Sequence, residues 1–170
     1  LDKYYKKYNV VNSGIGNDKT SDILKNMKSR VYDYNPSKVF LLIGANDLCY
    51  DVSSDEVVKN IEKIIKLIKK NRPYAKIYLE SIYPINKSDD DKIAAYVRTF
   101  SVSNDDIKEV NKKLEDFAKK ENITYIDIFS ELVNDDGNLD LKYTKEGLHM
   151  TDEGYDKITD ILLKYIKEND

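Results

Sequence analysis

The sequence has little of what several protein classes need. One cysteine, Cys49, in 170 residues excludes an internal disulfide framework and a cysteine-rich metal site, and it leaves both a cytoplasmic and a secreted or cell-envelope location open. The net charge is −3 with acidic and basic residues interspersed, so the basic face of a nucleic-acid-binding protein is missing and we expect no nucleic-acid partner. No apolar run approaches the roughly 18 residues of a transmembrane helix, so we expect no membrane span.

The length and composition fit one soluble domain. A chain of 170 residues with 41% hydrophobic and 35% charged residues can bury a core. Neither an internal repeat nor a low-complexity linker interrupts it, so we expect residues 1–170 to form a single domain. The sequence begins at Leu1 instead of Met and shows no signal-peptide pattern, so we expect a processed, truncated or partial chain.

Short β-branched runs alternate with longer helical periodicities along the chain. Predicted strands cover residues 8–14, 38–44, 75–82 and 123–129, and predicted helices cover residues 20–32, 53–71, 104–120 and 151–167. Strands that alternate with helices predict βαβ units and a parallel sheet with helices on both faces. The polar segment 87–102 is less regular and is predicted to be a loop insertion or a short lid.

Polar residues follow the predicted strands at the points where each strand ends. In an open α/β sheet, ligands bind beyond the carboxyl ends of the strands, so these are the positions to inspect. They are residues 16–18, 44–47 and 83–84, and the loop around His149, the only histidine. The sequence therefore predicts a site at one edge of the sheet.

Two of these stretches contain glycine next to polar side chains. In IGAND, residues 43–47, the glycine permits close approach to the main chain, and the Asn46 amide is a neutral donor of the kind that stabilises an oxyanion. A simpler interpretation, favoured for this stretch alone, is that Asn46 or Asp47 caps the following turn. The turn NSGIGNDKT, residues 12–20, can hold an anion but lacks the ending of a phosphate loop, and a capped helix start is its simpler interpretation.

The stretch EGLHMTDEGY, residues 146–155, places His149 three residues after Glu146. Imidazole is the usual general base near neutral pH, and it works best when a carboxylate fixes its tautomer. Gly147 permits the main chain to fold so that both side chains meet, and Thr151 is the predicted N-cap of the last helix. The alternative, favoured for a lone histidine, is a loop side chain bonded to the main chain.

Taken together, these stretches resemble the SGNH hydrolases, also called GDSL-type esterases and lipases. The resemblance runs from Asn12 to the last helix and rests on the glycine-containing turn, GAND after a strand, and EGLHMT with a following GY. It implies a three-layer α/β/α fold with a flavodoxin-like parallel sheet, and ester hydrolysis or acyl transfer through a serine nucleophile, with no cofactor and no metal. It implies that His149 is the base and Glu146 its orienting acid, with the Asn46 side chain and the Asn17 main-chain N–H as oxyanion donors.

Three positions depart from the family pattern. Glu146 stands where the family has aspartate, and Asn17 stands where it has glycine, although asparagine tolerates the left-handed conformation better than most residues. The Gly-Asp-Ser block that carries the nucleophile is absent, and the residues before the Asn12 turn contain no serine. Neither Ser13 nor Ser81 has the strand–turn–helix setting that exposes a nucleophile.

The missing block belongs to the first strand, which is central in a flavodoxin-like sheet. Without it, the predicted strands 8–14 and 38–44 lose their common partner, at a cost of about 1–3 kcal/mol for each buried unpaired group. We therefore expect a short N-terminal segment, one strand with a Gly-Asp-Ser turn, that is cleaved, supplied by a complementing chain or absent from this sequence.

Three functions remain as hypotheses. The first is a serine esterase acting on small acyl esters, for example acetyl groups on a carbohydrate. The second is an O-acyltransferase of the same fold, and the third is a non-catalytic module that has lost the nucleophile. We expect Leu48, Tyr50 and Tyr83, together with the insertion 87–102, to form the walls of the substrate pocket.

Overall fold

The computed structural model describes residues 2–168, which form a three-stranded parallel sheet flanked by helices. The strands are β1 (Lys38–Leu41), β2 (Lys76–Glu80) and β3 (Thr124–Ile126), in the spatial order β1-β2-β3. The register pairs Val39 with Ile77 and Leu79 with Tyr125. Helices connect consecutive strands, as parallel pairing requires.

The helices differ widely in length, and three of them have fifteen or more residues. They are α1 (Asp2–Tyr5), α2 (Thr20–Lys25), α3 (Met27–Arg30), α4 (Ala45–Cys49), α5 (Ser54–Asn71), α6 (Ala95–Arg98), α7 (Asn104–Glu121), α8 (Phe129–Leu132) and α9 (Asp152–Ile166), with a 3-10 turn at Tyr32–Tyr34. None of the helices in residues 2–168 is long and apolar enough to cross a bilayer.

The three long helices begin where the sequence places a capping side chain. Ser53 accepts the main-chain N–H of Glu56 at 3.3 Å at the start of α5, and Thr151 accepts that of Gly154 at 3.1 Å at the start of α9. Ser103 caps α7 in the same way. Such caps accept hydrogen bonds from main-chain N–H groups that the first helical turn leaves unpaired, and each cap stabilises the helix by about 1 kcal/mol. The predicted long helices are confirmed to within one or two residues.

The sheet separates two apolar layers. On one face, α5 and α7 pack against each other and against Ile77 and Leu79. On the other face, α9 packs near Tyr78 and Ile126, and the Tyr78 ring stacks on Phe40 with centroids 4.6 Å apart. Successive strand residues point to opposite faces, so one strand supplies both layers. The predicted α/β fold, a parallel sheet with helices on both sides, is confirmed.

The predicted strand at residues 8–14 is wrong. Residues 9–15 are irregular, and Val10 and Val11 have 36% and 53% of their surfaces exposed. A β-branched run becomes a strand only when a neighbour pairs with its main chain. Within residues 2–168, β1 pairs with β2 alone, so this run has no adjacent strand.

The predicted helix at residues 20–32 is interrupted. Asn26 separates α2 from α3 with φ −118° and ψ 21°, outside the helical region. Its side-chain amide donates to the Asp22 carbonyl oxygen at 2.9 Å. Asparagine competes in this way with the helical hydrogen-bond pattern, which explains why the apolar periodicity did not give one continuous helix.

The segment 87–102 contains α6 and, together with the preceding Asn86, is fixed to the loop that holds His149. The main-chain N–H of Ala94 donates to the Glu146 carbonyl oxygen at 3.0 Å, and that of Asn86 donates to the Gly147 carbonyl oxygen at 2.8 Å. The insertion predicted from the sequence therefore packs against the candidate site through its main chain.

Candidate active site

The loop 144–151 is a tight turn that sets two functional side chains next to each other. Thr144 and Met150 form an isolated antiparallel bridge, and Gly147 has a φ of 106°. Thr144 Oγ1 accepts the Gly147 N–H at 2.7 Å and donates to the His149 carbonyl oxygen at 3.1 Å. A Cβ at Gly147 would lie 2.5 Å from the Asn86 carbonyl oxygen, so the turn requires glycine.

Glu146 and His149 form a hydrogen-bonded pair at this turn. The Nδ1 atom of His149 lies 2.5 Å from Glu146 Oε1, and the same oxygen accepts the His149 main-chain N–H at 3.1 Å. The His149 side chain is 67% exposed, whereas that of Glu146 is 20% exposed. In the neutral ring, this bonding pattern places the proton on Nδ1 and leaves Nε2 as an acceptor. The structure joins the two side chains as their spacing predicts, and their catalytic roles stay a prediction.

A third side chain, Tyr96 of α6, binds the same carboxylate. Its hydroxyl donates to Glu146 Oε1 at 2.8 Å. Burial acts to raise the pKa of Glu146, but hydrogen bonds from Tyr96 and His149 outweigh burial and lower that pKa below its usual value. Burial and the adjacent Glu146 raise the pKa of Tyr96 to about 12, so its hydroxyl stays a donor. No sequence pattern points to Tyr96, because the contact joins side chains that are 50 residues apart.

The turn that follows β1 meets the turn that precedes α2. Asn46 is the second residue of α4, and Gly44, with a φ of 116°, directly precedes this helix. The side-chain amide of Asn46 donates to the Asp18 carbonyl oxygen at 3.0 Å. Asn17 has a φ of 66°, the left-handed conformation considered for it. Arg30 pairs with the Asp18 carboxylate at 2.5 Å and so fixes this turn. The structure thus brings Asn46 beside the Asn17–Asp18 turn, and their roles as oxyanion donors stay a prediction.

Asp47, the neighbour of Asn46, is part of the fold. It is 1% exposed, and its carboxylate accepts the Thr20 main-chain N–H at 2.9 Å and the Thr20 hydroxyl at 2.5 Å. Asn60 donates to the same hydroxyl at 3.0 Å. A carboxylate is favoured where the first N–H groups of a helix are free. Asp47 therefore caps α2, across 27 residues, whereas the sequence suggested a cap on its own following turn.

The three predicted pocket residues have different surroundings. Leu48 is 5% exposed and packs in the layer that contains α5. Tyr83 is half-buried in the layer that contains α9, and its hydroxyl donates to Glu80 at 2.7 Å. Tyr50 is 56% exposed, with Lys19 Nζ 4.9 Å from its ring centroid. Tyr50 is therefore the most exposed of the three side chains. That these residues form the walls of a substrate pocket stays a prediction.

The two serines considered in the sequence, Ser13 and Ser81, are engaged in the fold. Ser13 donates to the Arg30 carbonyl oxygen at 2.7 Å. Ser81 is fully buried, and its hydroxyl accepts the main-chain N–H groups of Ile128 and Phe129 at 2.9 and 2.8 Å. In the described residues, no serine hydroxyl is hydrogen-bonded to the His149 ring. The same part of the chain contains no group of three or more side chains that could ligate a metal.

Comparison with known families assigns the chain to a class. Residues 1–157 match the GDSL-like Lipase/Acylhydrolase family, so the chain belongs to this family of hydrolases. The resemblance noted in the sequence is thereby confirmed.

Three known proteins show how far the likeness extends. An N-acylneuraminate cytidylyltransferase from Streptococcus agalactiae serotype V is 31% identical over 123 residues, which are 72% of this chain and 26% of that protein. The chain thus spans about a quarter of this relative's length. A Streptococcus pneumoniae structure, provisionally described as a platelet activating factor, has a TM-score of 0.88 at 30% identity and covers 98% of this chain and 77% of its own. The acetyl xylan esterase AlAXEase has a TM-score of 0.76 at 20% identity and covers 94% of this chain and 82% of its own. At this identity the likeness shows the shared fold alone.

Proposed function

We propose that this chain hydrolyses small acyl esters, with acetyl esters of carbohydrates as the substrate class, through a serine nucleophile. The observation that carries the proposal is the Glu146–His149 pair, whose 2.5 Å contact leaves Nε2 of an exposed ring to accept a proton. Membership of an acylhydrolase family supports ester hydrolysis. An acetyl xylan esterase shares this fold, so acetyl esters of carbohydrates are the substrate class to test first.

His149 serves as the general base in this proposal. Its Nε2 takes the serine proton while the serine oxygen forms a bond to the ester carbonyl carbon, and Glu146 stabilises the resulting imidazolium. The tetrahedral intermediate then expels the alcohol, which receives that proton from His149. A water molecule then attacks the carbonyl carbon of the acyl-serine while His149 takes its proton. The serine oxygen leaves with that proton, so the carboxylic acid is released and the free serine is restored.

Asn46 and Asn17 supply the oxyanion donors. A side-chain amide has two N–H bonds, and only one of those of Asn46 is needed for its 3.0 Å bond to the Asp18 carbonyl oxygen. The positive φ of Asn17, 66°, permits its main-chain N–H to turn toward the same region. Neutral donors held in place before the reaction stabilise the oxyanion, and the loss of one typically lowers kcat by about 10²–10³-fold.

The nucleophile in this proposal is a serine other than Ser13 or Ser81, because both of these hydroxyls are engaged in the fold. A non-catalytic module is the second candidate function. The observation that favours it is that no serine within residues 3–168 bonds the His149 ring.

A fluorophosphonate probe tests the proposal on the protein as its natural gene produces it. We expect the probe to label the protein and the protein to hydrolyse 4-nitrophenyl acetate. His149→Ala should lower both by about 10²–10⁴-fold, the usual contribution of a general base. Glu146→Gln should lower both less, and Glu153→Gln, an exposed acid in the first turn of α9, is the matched control.

Each alternative has its own outcome in these assays. Labelling that survives His149→Ala contradicts the assigned base. A folded protein that neither labels nor hydrolyses is the non-catalytic module. An added alcohol acceptor separates a hydrolase from an O-acyltransferase, because only the transferase converts the acceptor into a new ester.

A further inference from the structure

The carboxylate of Glu146 has more freedom to move than an aspartate carboxylate would have, because glutamate has one more methylene and one more rotatable bond. Its Oε1 atom accepts the Nδ1–H of His149 at 2.5 Å and the His149 main-chain N–H at 3.1 Å. Both donors belong to His149, whose side chain is 67% exposed. They join the two side chains to each other, but they do not fix the carboxylate relative to another element of the fold.

Tyr96 supplies a donor from another element. Its hydroxyl donates to Glu146 Oε1 at 2.8 Å from α6, 50 residues earlier in the chain. Hydrogen bonds to an ionised acceptor are about twice as strong as those between neutral groups. The Tyr96 side chain is 45% exposed, so it adds little to the core. Loss of its hydroxyl should therefore cost the fold little while it releases the carboxylate.

The helix that carries Tyr96 is itself fixed in place. Val97, the next residue, is fully buried, and the main-chain N–H of Ala94 donates to the Glu146 carbonyl oxygen at 3.0 Å. The Tyr96 ring lies edge-on to Phe100, with centroids 5.9 Å apart. A functional side chain is held precisely when the groups that bond it are locked by packing. The insertion thus holds both the main chain and the side chain of Glu146.

We infer that Tyr96 is a positioning residue, which holds the Glu146 carboxylate against Nδ1 of His149 and so offsets the additional rotatable bond of glutamate. With Oε1 held there, the neutral ring keeps its proton on Nδ1, and Nε2 stays available as an acceptor. Tyr96 acts through Glu146 in this role and touches neither the serine nor the ester. Its importance for catalysis rests on the proposed function.

Hydrolysis of 4-nitrophenyl acetate by the natural protein measures the catalytic part of this role. Tyr96→Phe should lower kcat about tenfold and leave KM within about twofold, as expected for a lost hydrogen bond to a charged group. The matched control is Tyr32→Phe, which removes a hydroxyl that donates to the Leu67 carbonyl oxygen at 3.4 Å before β1, at the opposite end of that strand from the site. The control should change neither constant. A raised KM with an unchanged kcat would make Tyr96 a wall of the substrate pocket and overturns the positioning role.

A double-mutant cycle separates positioning from a general effect on the fold. In a Glu146→Ala background, Tyr96→Phe should change kcat by less than about twofold, because the carboxylate through which Tyr96 acts is absent. A merely structural role would cost the same tenfold in both backgrounds, and that result overturns the inference.

The tautomer of His149 gives a second measurement that needs no activity. Nitrogen-15 NMR at alkaline pH, at which imidazole side chains are neutral, gives the ratio of the Nδ1–H to the Nε2–H form. The ring signals are identified by their loss in His149→Ala. The Nδ1–H form should dominate in the parent protein, and the ratio should fall about threefold or more in Tyr96→Phe and stay unchanged in Tyr32→Phe. A ratio that Tyr96→Phe leaves unchanged overturns the positioning role, whatever happens to kcat.

The positioning role and the proposed function fail in different ways. If the parent protein does not hydrolyse the ester but Tyr96→Phe lowers the tautomer ratio, the positioning role stands and the proposed function fails. If the parent protein hydrolyses the ester and Tyr96→Phe alters neither kcat nor the ratio, the proposed function stands and the positioning role fails.

Discussion

Glu80 is a buried acid that should make the stability of the fold depend on pH. It ends β2, is 5% exposed, and accepts the Tyr83 hydroxyl at 2.7 Å. Burial raises its pKa from 4.5 to about 7, while the hydrogen bond from Tyr83 opposes the rise. Between these two pH values, the folded chain holds a proton on Glu80 that the unfolded chain has already released.

The sign of the effect follows from this difference in bound protons. The contribution of Glu80 to stability is fully present below about pH 4.5 and is lost as pH rises through about 7, after which it levels off. A pKa difference of about 2.5 corresponds to roughly 3 kcal/mol in the free energy of unfolding. This is the reverse of a salt-bridged carboxylate, whose contribution is lost in acid.

Glu80→Gln isolates the effect, because glutamine keeps an acceptor for the Tyr83 hydroxyl and does not ionise. Urea unfolding, followed by far-UV circular dichroism, gives the free energy of unfolding at about pH 5 and about pH 8. The variant should match the parent within about 1 kcal/mol at the lower pH and exceed it by roughly 3 kcal/mol at the higher pH. The exposed acid Glu153, changed to glutamine, is the control. If Glu80→Gln loses as much stability between the two pH values as the parent does, the reasoning from burial is refuted.

The remaining predictions concern the candidate active site. Tyr96→Phe removes a donor to Glu146 and should raise the pKa of that carboxyl in a carbon-13 NMR titration, whereas Tyr74→Phe, at a side chain 95% exposed, should not. An unchanged pKa in the Tyr96 variant would show that the hydrogen bond is absent in solution. Gly147→Ala should lower the free energy of unfolding by roughly 2–3 kcal/mol, because its φ is 106° and the new Cβ meets a main-chain oxygen at 2.5 Å. Gly16→Ala, with nothing within 4 Å of the new Cβ, should be nearly neutral, and equal costs at the two glycines would contradict the steric argument.

The features that could be predicted from the sequence are those that short stretches determine. Glu146 and His149 are three residues apart with Gly147 between them, so only a local turn is needed to join them. Ser53 and Thr151 cap helices through donors three residues away. Such contacts depend on a few consecutive residues, and the pattern of these residues is visible without the fold.

The features that could not be predicted join distant stretches. Asp47 caps a helix 27 residues earlier, and the hydroxyl of Tyr96 reaches an acid 50 residues later. The run at residues 8–14 has the composition of a strand, but a strand exists only where another main chain pairs with it. No local pattern states whether that partner is present, so this prediction failed although the composition was identified correctly.

The turn of residues 12–18 carries one of the proposed oxyanion donors, the Asn17 main-chain N–H. It is anchored by Arg30, which donates to the Ser13 carbonyl oxygen at 2.8 Å, and by Asn46, which donates to that of Asp18 at 3.0 Å. The stretch before it, residues 9–11, has no strand partner within the described residues. Oxyanion donors act only when they are held within a fraction of an ångström of their working positions. In the proposed function, the contacts from Arg30 and Asn46 supply this restraint, so the position of the Asn17 N–H depends on both side chains.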